Sequence, residues 1–158
     1  MRLTSPAFEP GEAIPPIFTC EGKDISPEFD WTDAPRETKS FALIIHDPDA
    51  PMANGFTHWV LYNIPANVHR IEANQPREPE IPGLGIQGKN DAGKIGYTGP
   101  CPPSGTHRYF VRLYALRSEL PLGPGATRQE LEEAMQGHVI EEAELMGTYT
   151  KAQAKAAR

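Results

Sequence analysis

The hydrophobic and polar positions of this chain predict three strong β-strands. Residues 40–46 are apolar almost throughout and are followed by Asp47 and Pro48, which favours a buried strand that ends at Asp47. Residues 58–64 and 107–116 are rich in aromatic and β-branched side chains, a composition typical of strands. The three runs therefore predict a sheet.

Alternation along a strand places every second side chain on the same face, which assigns the histidines of the last two runs to particular faces. His58 is expected to share a face with Val60 and Tyr62, and His107 to share a face with Tyr109. Both histidines stand at strand starts, and the aspartate of the first run stands at a strand end. All three side chains are therefore compatible with one rim of the sheet.

The remaining segments have weaker patterns. Residues 65–98 contain several prolines and a glycine-rich stretch, which predict a long ordered loop with room for one short strand. Thr127 and Glu130 form a capping-box pattern that predicts the start of a helix continuing to Met135. Residues 138–146 predict a second amphipathic helical segment, whose glutamates would form a solvated face.

Length and composition favour a single domain with its own core. The chain has 158 residues, of which 39% are hydrophobic and 23% charged, values near those of globular domains. Its 17 prolines and 14 glycines are spread along the sequence, as expected for many short connections between strands. We therefore expect one domain over residues 1–158, a mainly β sandwich of two antiparallel sheets with a few short peripheral helices.

The charge balance and the hydrophobic runs exclude two classes of partner. A net charge of −6 argues against nucleic acid, which selects basic faces. No run approaches the ~18 apolar residues of a membrane span, and the N-terminus has no apolar signal region. We expect a cytoplasmic protein with at most peripheral lipid contact.

The two cysteines leave more than one reading open. Cys20 and Cys101 lack the paired spacing of a structural zinc site, so no metal is expected there. A cytoplasmic location favours free thiols. A disulfide is the alternative, and it becomes the better prediction if the source is a hyperthermophile.

Polar residues with ligand-binding chemistry lie in three segments, 47–51, 58–59 and 99–109, and prolines stand within the first and the third. Because proline stiffens the backbone, these segments predict a rigid polar pocket at the end of the sheet. Asp47 is expected to hold a histidine in one tautomer, whereas Asp49 is expected mainly to cap the turn.

The pocket is predicted to donate hydrogen bonds to an anion. His58 and His107 each have an N–H to donate, and a neighbouring carboxylate would keep them partly protonated near neutral pH. Tyr109 adds a phenolic donor. Arg108 is expected to point to the opposite face of its strand.

The same segments resemble the signature blocks of the phosphatidylethanolamine-binding protein family, which includes Raf kinase inhibitor protein. Residues 18–22, 26–27 and 137–149 are similar to the opening and closing segments of its bacterial and archaeal branch. The resemblance implies a Greek-key β-sandwich with one ligand pocket. The ligand-binding residues expected from the motifs and the resemblance are Asp47, Asp49, Ala50, Pro51, Phe56, His58, Cys101, Pro102, His107 and Tyr109.

The function expected from these residues is binding without catalysis and without a cofactor. The ligand would be a small anion such as phosphate or phosphoethanolamine. The resemblance also implies a regulatory or inhibitor protein that modulates a kinase or a serine protease. Because relatives often form dimers, a homodimer is one of the assembly states that the resemblance allows.

Two other functions use some of the same residues. In the first, residues 65–98 dock a partner protein and the pocket is incidental. In the second, the protein is a hydrolase, with Asp47, Asp49, His58 and His107 as metal ligands or with Cys101 as a thiol nucleophile. The spacing of these residues matches no metal-site pattern, which favours the binding function.

Overall fold

The computed structural model describes residues 1–152, which form two antiparallel sheets. One sheet has the strand order β1-β2-β5 and the other the order β6-β7-β4-β3-β8-β9. The strands are β1 (Arg2–Thr4), β2 (Phe29–Thr32), β3 (Ser40–Asp47), β4 (Phe56–Pro65), β5 (Arg70–Ile71), β6 (Glu80–Ile81), β7 (Gly85–Gln87), β8 (Thr106–Leu116) and β9 (Val139–Thr150). The helices are a 3-10 turn at Pro16–Phe18 and α1 (Arg128–Met135).

The three apolar runs form the middle of the larger sheet, as predicted. β3 lies between β4 and β8 and pairs antiparallel with both. Hydrophobic layers cover both faces of this sheet, which explains why β3 is apolar almost throughout.

The main core lies between the two sheets. It includes Phe29 and Trp31 from the smaller sheet and Phe41, Leu43 and Trp59 from the larger one, all 2% exposed or less. A second hydrophobic layer covers the opposite face of the larger sheet. This second layer packs α1 against β3 and β4, through Leu131, Met135, Ala42, Val60 and Tyr62. The predicted sandwich of two antiparallel sheets is therefore confirmed.

The helix predicted over residues 138–146 is wrong, because this segment belongs to β9. Gly137 has a φ of +81° after α1, and the chain then pairs with β8 from Leu116↔Val139 to Thr106↔Thr150. The periodicity of one segment does not reveal the long strand with which it pairs. Pairing with that strand overrides a weak local preference for helix.

Two further elements can be compared with the sequence predictions. Residues 65–98 contain three short strands, β5 to β7, where the sequence predicted one. The predicted capping box is confirmed, since Thr127 Oγ1 accepts from the Glu130 amide and the Glu130 carboxylate accepts from the Thr127 amide. No helix within residues 1–152 is long and apolar enough to cross a membrane. Residues 153–158 of the predicted domain lie outside the described residues.

Candidate functional site

A cavity of about 320 Å³ opens where β3 ends and where β4 and β8 begin. The prolines and glycines of the adjoining loops form its wall. Its lining residues are Asp47, Ala50, Pro51, Met52, Phe56, His58, Thr98, Gly99, Cys101, Pro102, Pro103, His107 and Tyr109. Nine of the ten residues expected from the sequence lie around this cavity, and Asp49 does not.

Asp47 joins the loop after β3 to the start of β8. The Asp49 amide donates to Asp47 Oδ1 at 2.7 Å, and His107 Nδ1 lies 2.6 Å from Asp47 Oδ2. Asp47 is 2% exposed and His107 is 7% exposed, so this pair is shielded from water. Since a carboxylate accepts, His107 Nδ1 carries the hydrogen, and its Nε2 has no partner within the described residues.

Tyr109 follows His107 on the same face of β8, as alternation predicted. Its ring is 1% exposed, and its hydroxyl has no hydrogen-bond partner within residues 1–152. Burial raises the pKa of Tyr109, so the phenol stays protonated and keeps a hydrogen to donate. A buried hydroxyl without a partner is costly, which suggests a ligand or water as its acceptor.

A β-bulge in β4 sets the direction of His58. Ile45 pairs with Trp59, whereas the next residue, His46, pairs with Thr57, so His58 is an extra residue on β4. A bulge changes which face of the sheet a side chain meets. The simple alternation used in the sequence analysis fails at this point.

The bulge places His58 on the cavity face. Its ring lies 4.7 Å from the Phe56 ring and 5.2 Å from the Tyr109 ring, measured between centroids. Val60 and Tyr62 instead belong to the layer under α1 on the opposite face. The prediction that His58 shares a face with Val60 and Tyr62 is therefore wrong, although His58 reaches the expected rim.

His58 is neutral near pH 7, contrary to the expectation of partial protonation. Burial lowers the pKa of His58 to about 4, and the hydrogen bond to Thr98 and the charge of Asp47 offset only part of this effect. His58 Nδ1 lies 2.7 Å from the carbonyl oxygen of Thr98, which only accepts. Nδ1 therefore carries the hydrogen and Nε2 carries a lone pair.

The free energy of unfolding should fall by about 3 kcal/mol between pH 7 and pH 4 through His58 alone. The folded-state pKa, about 4, lies below the ordinary value of 6.5, so the unfolded chain binds more protons in this interval. This stability is present above pH 6.5 and is lost as the pH falls through about 4. Urea unfolding at both pH values measures it.

The control for that measurement is His58→Asn. Asparagine places an amide N–H near the position of Nδ1, so it can keep the bond to Thr98, and it does not titrate. The wild-type protein should lose about 3 kcal/mol more than this variant on acidification. Equal losses in the two proteins would contradict the assignment to His58.

The cavity wall over residues 97–101 is attached to residues 18–24. The Gly99 amide donates to Asp24 Oδ1 at 2.7 Å, and the Cys20 amide donates to the Pro100 carbonyl at 3.1 Å. A Cβ on Gly99 would lie 2.3 Å from the Phe18 carbonyl oxygen and 2.3 Å from Asp24 Oδ1. The wall therefore needs glycine at position 99.

A disulfide joins Cys20 to Cys101 across the same contact. Of the two alternatives that the sequence left open, the disulfide is present and the free thiols are not, because the fold brings two loops far apart in the sequence to a Cα–Cα distance of 5.5 Å. Cysteine spacing alone gives no indication of this contact. A disulfide sulfur is not a nucleophile, so Cys101 is unavailable as a catalytic thiol in this state.

The Asp47 carboxylate contacts His107 Nδ1, as expected from the sequence, but the turn-capping role expected of Asp49 belongs to Asp47. Asp47 caps the turn, whereas Asp49 binds the Arg108 guanidinium through two bonds of 2.9 Å. The Arg108 side chain holds the pKa of Asp49 down, to about 2. Asp49 therefore fixes the loop to β8 from outside the cavity.

Four lining residues are absent from the ten expected ligand-binding residues: Met52, Thr98, Gly99 and Pro103. Met52 is 54% exposed and stands at the mouth. Thr98 acts through its backbone carbonyl, which no sequence pattern reveals, whereas Gly99 and Pro103 lie within the proline-rich segment and could have been included. Among residues 1–152, no group of three His, Cys, Asp or Glu side chains is arranged to hold a metal ion.

Comparisons with known proteins point to one family. The sequence profile described as Phosphatidylethanolamine-binding protein matches residues 4–150. A UPF0098 protein of Methanothermobacter thermautotrophicus is 50% identical over 151 residues, covering 96% of this chain and 99% of the relative. A UPF0098 protein of Aquifex aeolicus is 47% identical, covering 96% of this chain and 89% of the relative.

Solved structures give the same result. The crystal structure of a phosphatidylethanolamine-binding protein homologue from Chlamydia trachomatis has a TM-score of 0.87 and 42% identity, covering 95% of this chain and 97% of that chain. The E. coli YbcL structure, a member of the mammalian phosphatidylethanolamine-binding protein family, has a TM-score of 0.88 and 32% identity, covering 95% of this chain and 98% of that chain.

Proposed function

The chain belongs to the phosphatidylethanolamine-binding protein family, and from this premise we propose that its cavity binds a small anion, either phosphate or a phosphorylated headgroup. The proposal rests on three polar atoms that lie in one mostly apolar cavity and have no hydrogen-bond partner among the described residues. These atoms are Tyr109 Oη, His107 Nε2 and His58 Nε2.

The geometry of the Asp47–His107 pair supports an anion at His107. When the imidazole is protonated, its Nε2–H donates to the ligand while Nδ1 keeps its bond to the Asp47 carboxylate. The buried Tyr109 hydroxyl supplies a second donor. Mostly apolar side chains surround these atoms, and a low local dielectric strengthens each polar contact.

The cavity size supports a small ligand. A volume of about 320 Å³ lies at the lower end of the range for small-molecule sites. The exposed Met52 at the mouth and the adjoining prolines suit a short apolar or aliphatic group next to the anion. A role in modulating a kinase or a serine protease, and a homodimer, remain predictions.

Saturable binding of inorganic phosphate and phosphoethanolamine is the expected result of calorimetric titration. His107→Asn should weaken both ligands about tenfold or more, because it removes Nε2. Its amide N–H can still donate to Asp47, so the fold should survive, which circular dichroism checks.

His69→Asn is the matched control. His69 is exposed and lies outside the cavity lining, so the same substitution there should leave the affinity within about twofold of wild type. No binding up to about 10 mM would overturn the proposed function. Equal loss in both variants would show that the effect is not specific to the cavity.

A further inference from the structure

The tautomer of His58 makes its cavity-side nitrogen an acceptor. Nδ1 donates to the Thr98 carbonyl at 2.7 Å, so the neutral ring has a lone pair at Nε2. A lone pair repels an anionic oxygen and attracts a hydroxyl hydrogen. A ligand oxygen that contacts His58 is therefore favourable when it carries a proton.

The surroundings of His58 keep the ring neutral. The titratable groups that interact with it electrostatically or line the same cavity are Asp47 and His46 from β3, Asp91 from the loop after β7, and His107 and Tyr109 from β8. The two carboxylates favour a proton on the ring, but burial opposes it more strongly. Neutral His58 is the state that a ligand meets near pH 7.

The cavity also has little positive charge for a dianion. Among the described residues, its lining contains no lysine and no arginine. Arg108 is nearby, but its guanidinium binds Asp49 outside the lining. A dianion would meet no lysine or arginine in the lining and would lie near the Asp47 carboxylate, so a singly charged ligand fits the lining better.

We propose that the cavity selects a small phosphomonoester in its singly protonated form, whose P–OH donates to His58 Nε2, over a phosphodiester. The inference rests on the proposed anion binding at this cavity and adds the protonation state and ester class of the ligand. Another ligand oxygen accepts from the Tyr109 hydroxyl.

The two ester classes differ in the hydrogen that His58 needs. A phosphomonoester has a second pKa near 6 and keeps a P–OH in its monoanion. A phosphodiester is also a monoanion, but it has no hydrogen on phosphorus oxygen. The two ligands therefore have the same charge, and only the monoester has the P–OH hydrogen that His58 Nε2 accepts.

Calorimetric titration with phosphoethanolamine and with its methyl ester tests the proposal. At pH 6 the monoester should bind about tenfold more tightly than the diester. The ratio of the two affinities should fall about tenfold between pH 7 and pH 8, as the protonated monoester is depleted. Taking the ratio removes any effect of pH on the protein that changes both affinities equally.

His58→Asn assigns the selection to Nε2. This variant can keep the bond to Thr98 and lacks Nε2, so the ratio should fall to about one at pH 6. Tyr109→Phe removes a donor that both ligands use, so it should weaken both and leave the ratio unchanged. Circular dichroism checks that both variants are folded.

The outcomes separate this inference from the proposed function. Equal affinity of wild type for the two esters, or a ratio that does not change with pH, would overturn the selection and leave anion binding in place. No binding of either ester or of inorganic phosphate would overturn both. A ratio that persists in His58→Asn would place the selection at another residue and overturn the role of His58.

Discussion

Replacing Cys20 and Cys101 together with serine is expected to lower the free energy of unfolding by about 4 kcal/mol. The bridge closes a loop with a sequence separation of 81, and a loop of this length restricts the unfolded chain strongly. Thermal unfolding of a chain of this size should shift down by about 10 °C. Urea unfolding of the double variant measures the free energy directly.

The matched measurement is wild-type protein with a phosphine reductant. Both cysteines are exposed, so the reductant reaches the bridge in the folded protein. The reduced protein and the Cys20→Ser/Cys101→Ser variant should have the same free energy of unfolding. A loss below about 1 kcal/mol in both would show that the bridge contributes little beyond the other contacts of the wall.

Because of these other contacts, removing the disulfide should change the shape of the cavity less than it changes the free energy of unfolding. The Gly99 bond to Asp24 and the Cys20 amide bond to the Pro100 carbonyl do not depend on sulfur. The unfolded chain gains entropy when the bridge is absent, whereas the folded wall keeps its backbone hydrogen bonds. The disulfide therefore acts mainly on the unfolded state.

The strands that form the rim were predictable because their signals are local. Residues 40–46 are apolar and end at an aspartate followed by proline, which identifies both the strand and its end. His107 and Tyr109 follow strict alternation along β8, so their common face could be assigned from the sequence. Their convergence with Asp47 then needed only the pairing of β3 with β8.

The direction of His58 could not be predicted, because it depends on one extra residue in β4. Nothing in the sequence from Thr57 to Trp59 indicates a bulge, and a slip of one residue reverses the face of every side chain beyond it. The pKa of His58 was missed for a related reason. Its burial is the sum of contacts from β3, β8 and the loop that carries Thr98.

Local sequence patterns also did not predict the long-range pairings. β9 pairs with β8 along its whole length, although residues 138–146 have an amphipathic pattern that suits a helix. The disulfide depends on contact between the loops before β2 and before β8. Both features depend on which segments meet in the fold. The local pattern of a weakly patterned segment does not indicate its partner.

His107→Phe is expected to lower the free energy of unfolding by about 3–5 kcal/mol at pH 7, because it leaves the Asp47 carboxylate buried without its partner. Phenylalanine fills the space of the imidazole but donates no hydrogen bond. Asp47 would keep only the bond from the Asp49 amide. Urea unfolding at pH 7 measures the loss.

The pH dependence of this variant separates charge burial from a packing defect. In His107→Phe the folded-state pKa of Asp47 should lie above the unfolded value of about 3.9, since burial disfavours the unpaired charge. Relative to wild type, the variant should then regain stability as the pH falls through the raised pKa. A packing defect would cost the same free energy at every pH.

The Asp47→Asn/His107→Phe double variant tests whether the buried charge of Asp47 causes the loss of stability. Asparagine removes the buried charge, while its carbonyl oxygen can still accept from the Asp49 amide. The double variant should recover at least half of the stability lost by His107→Phe at pH 7. It should also lack the extra pH dependence of His107→Phe relative to wild type, because the Asp47 carboxylate is absent. If the double variant is less stable than His107→Phe, the geometry of the Asp47 turn contributes more than the charge, and the pair acts first as a loop anchor.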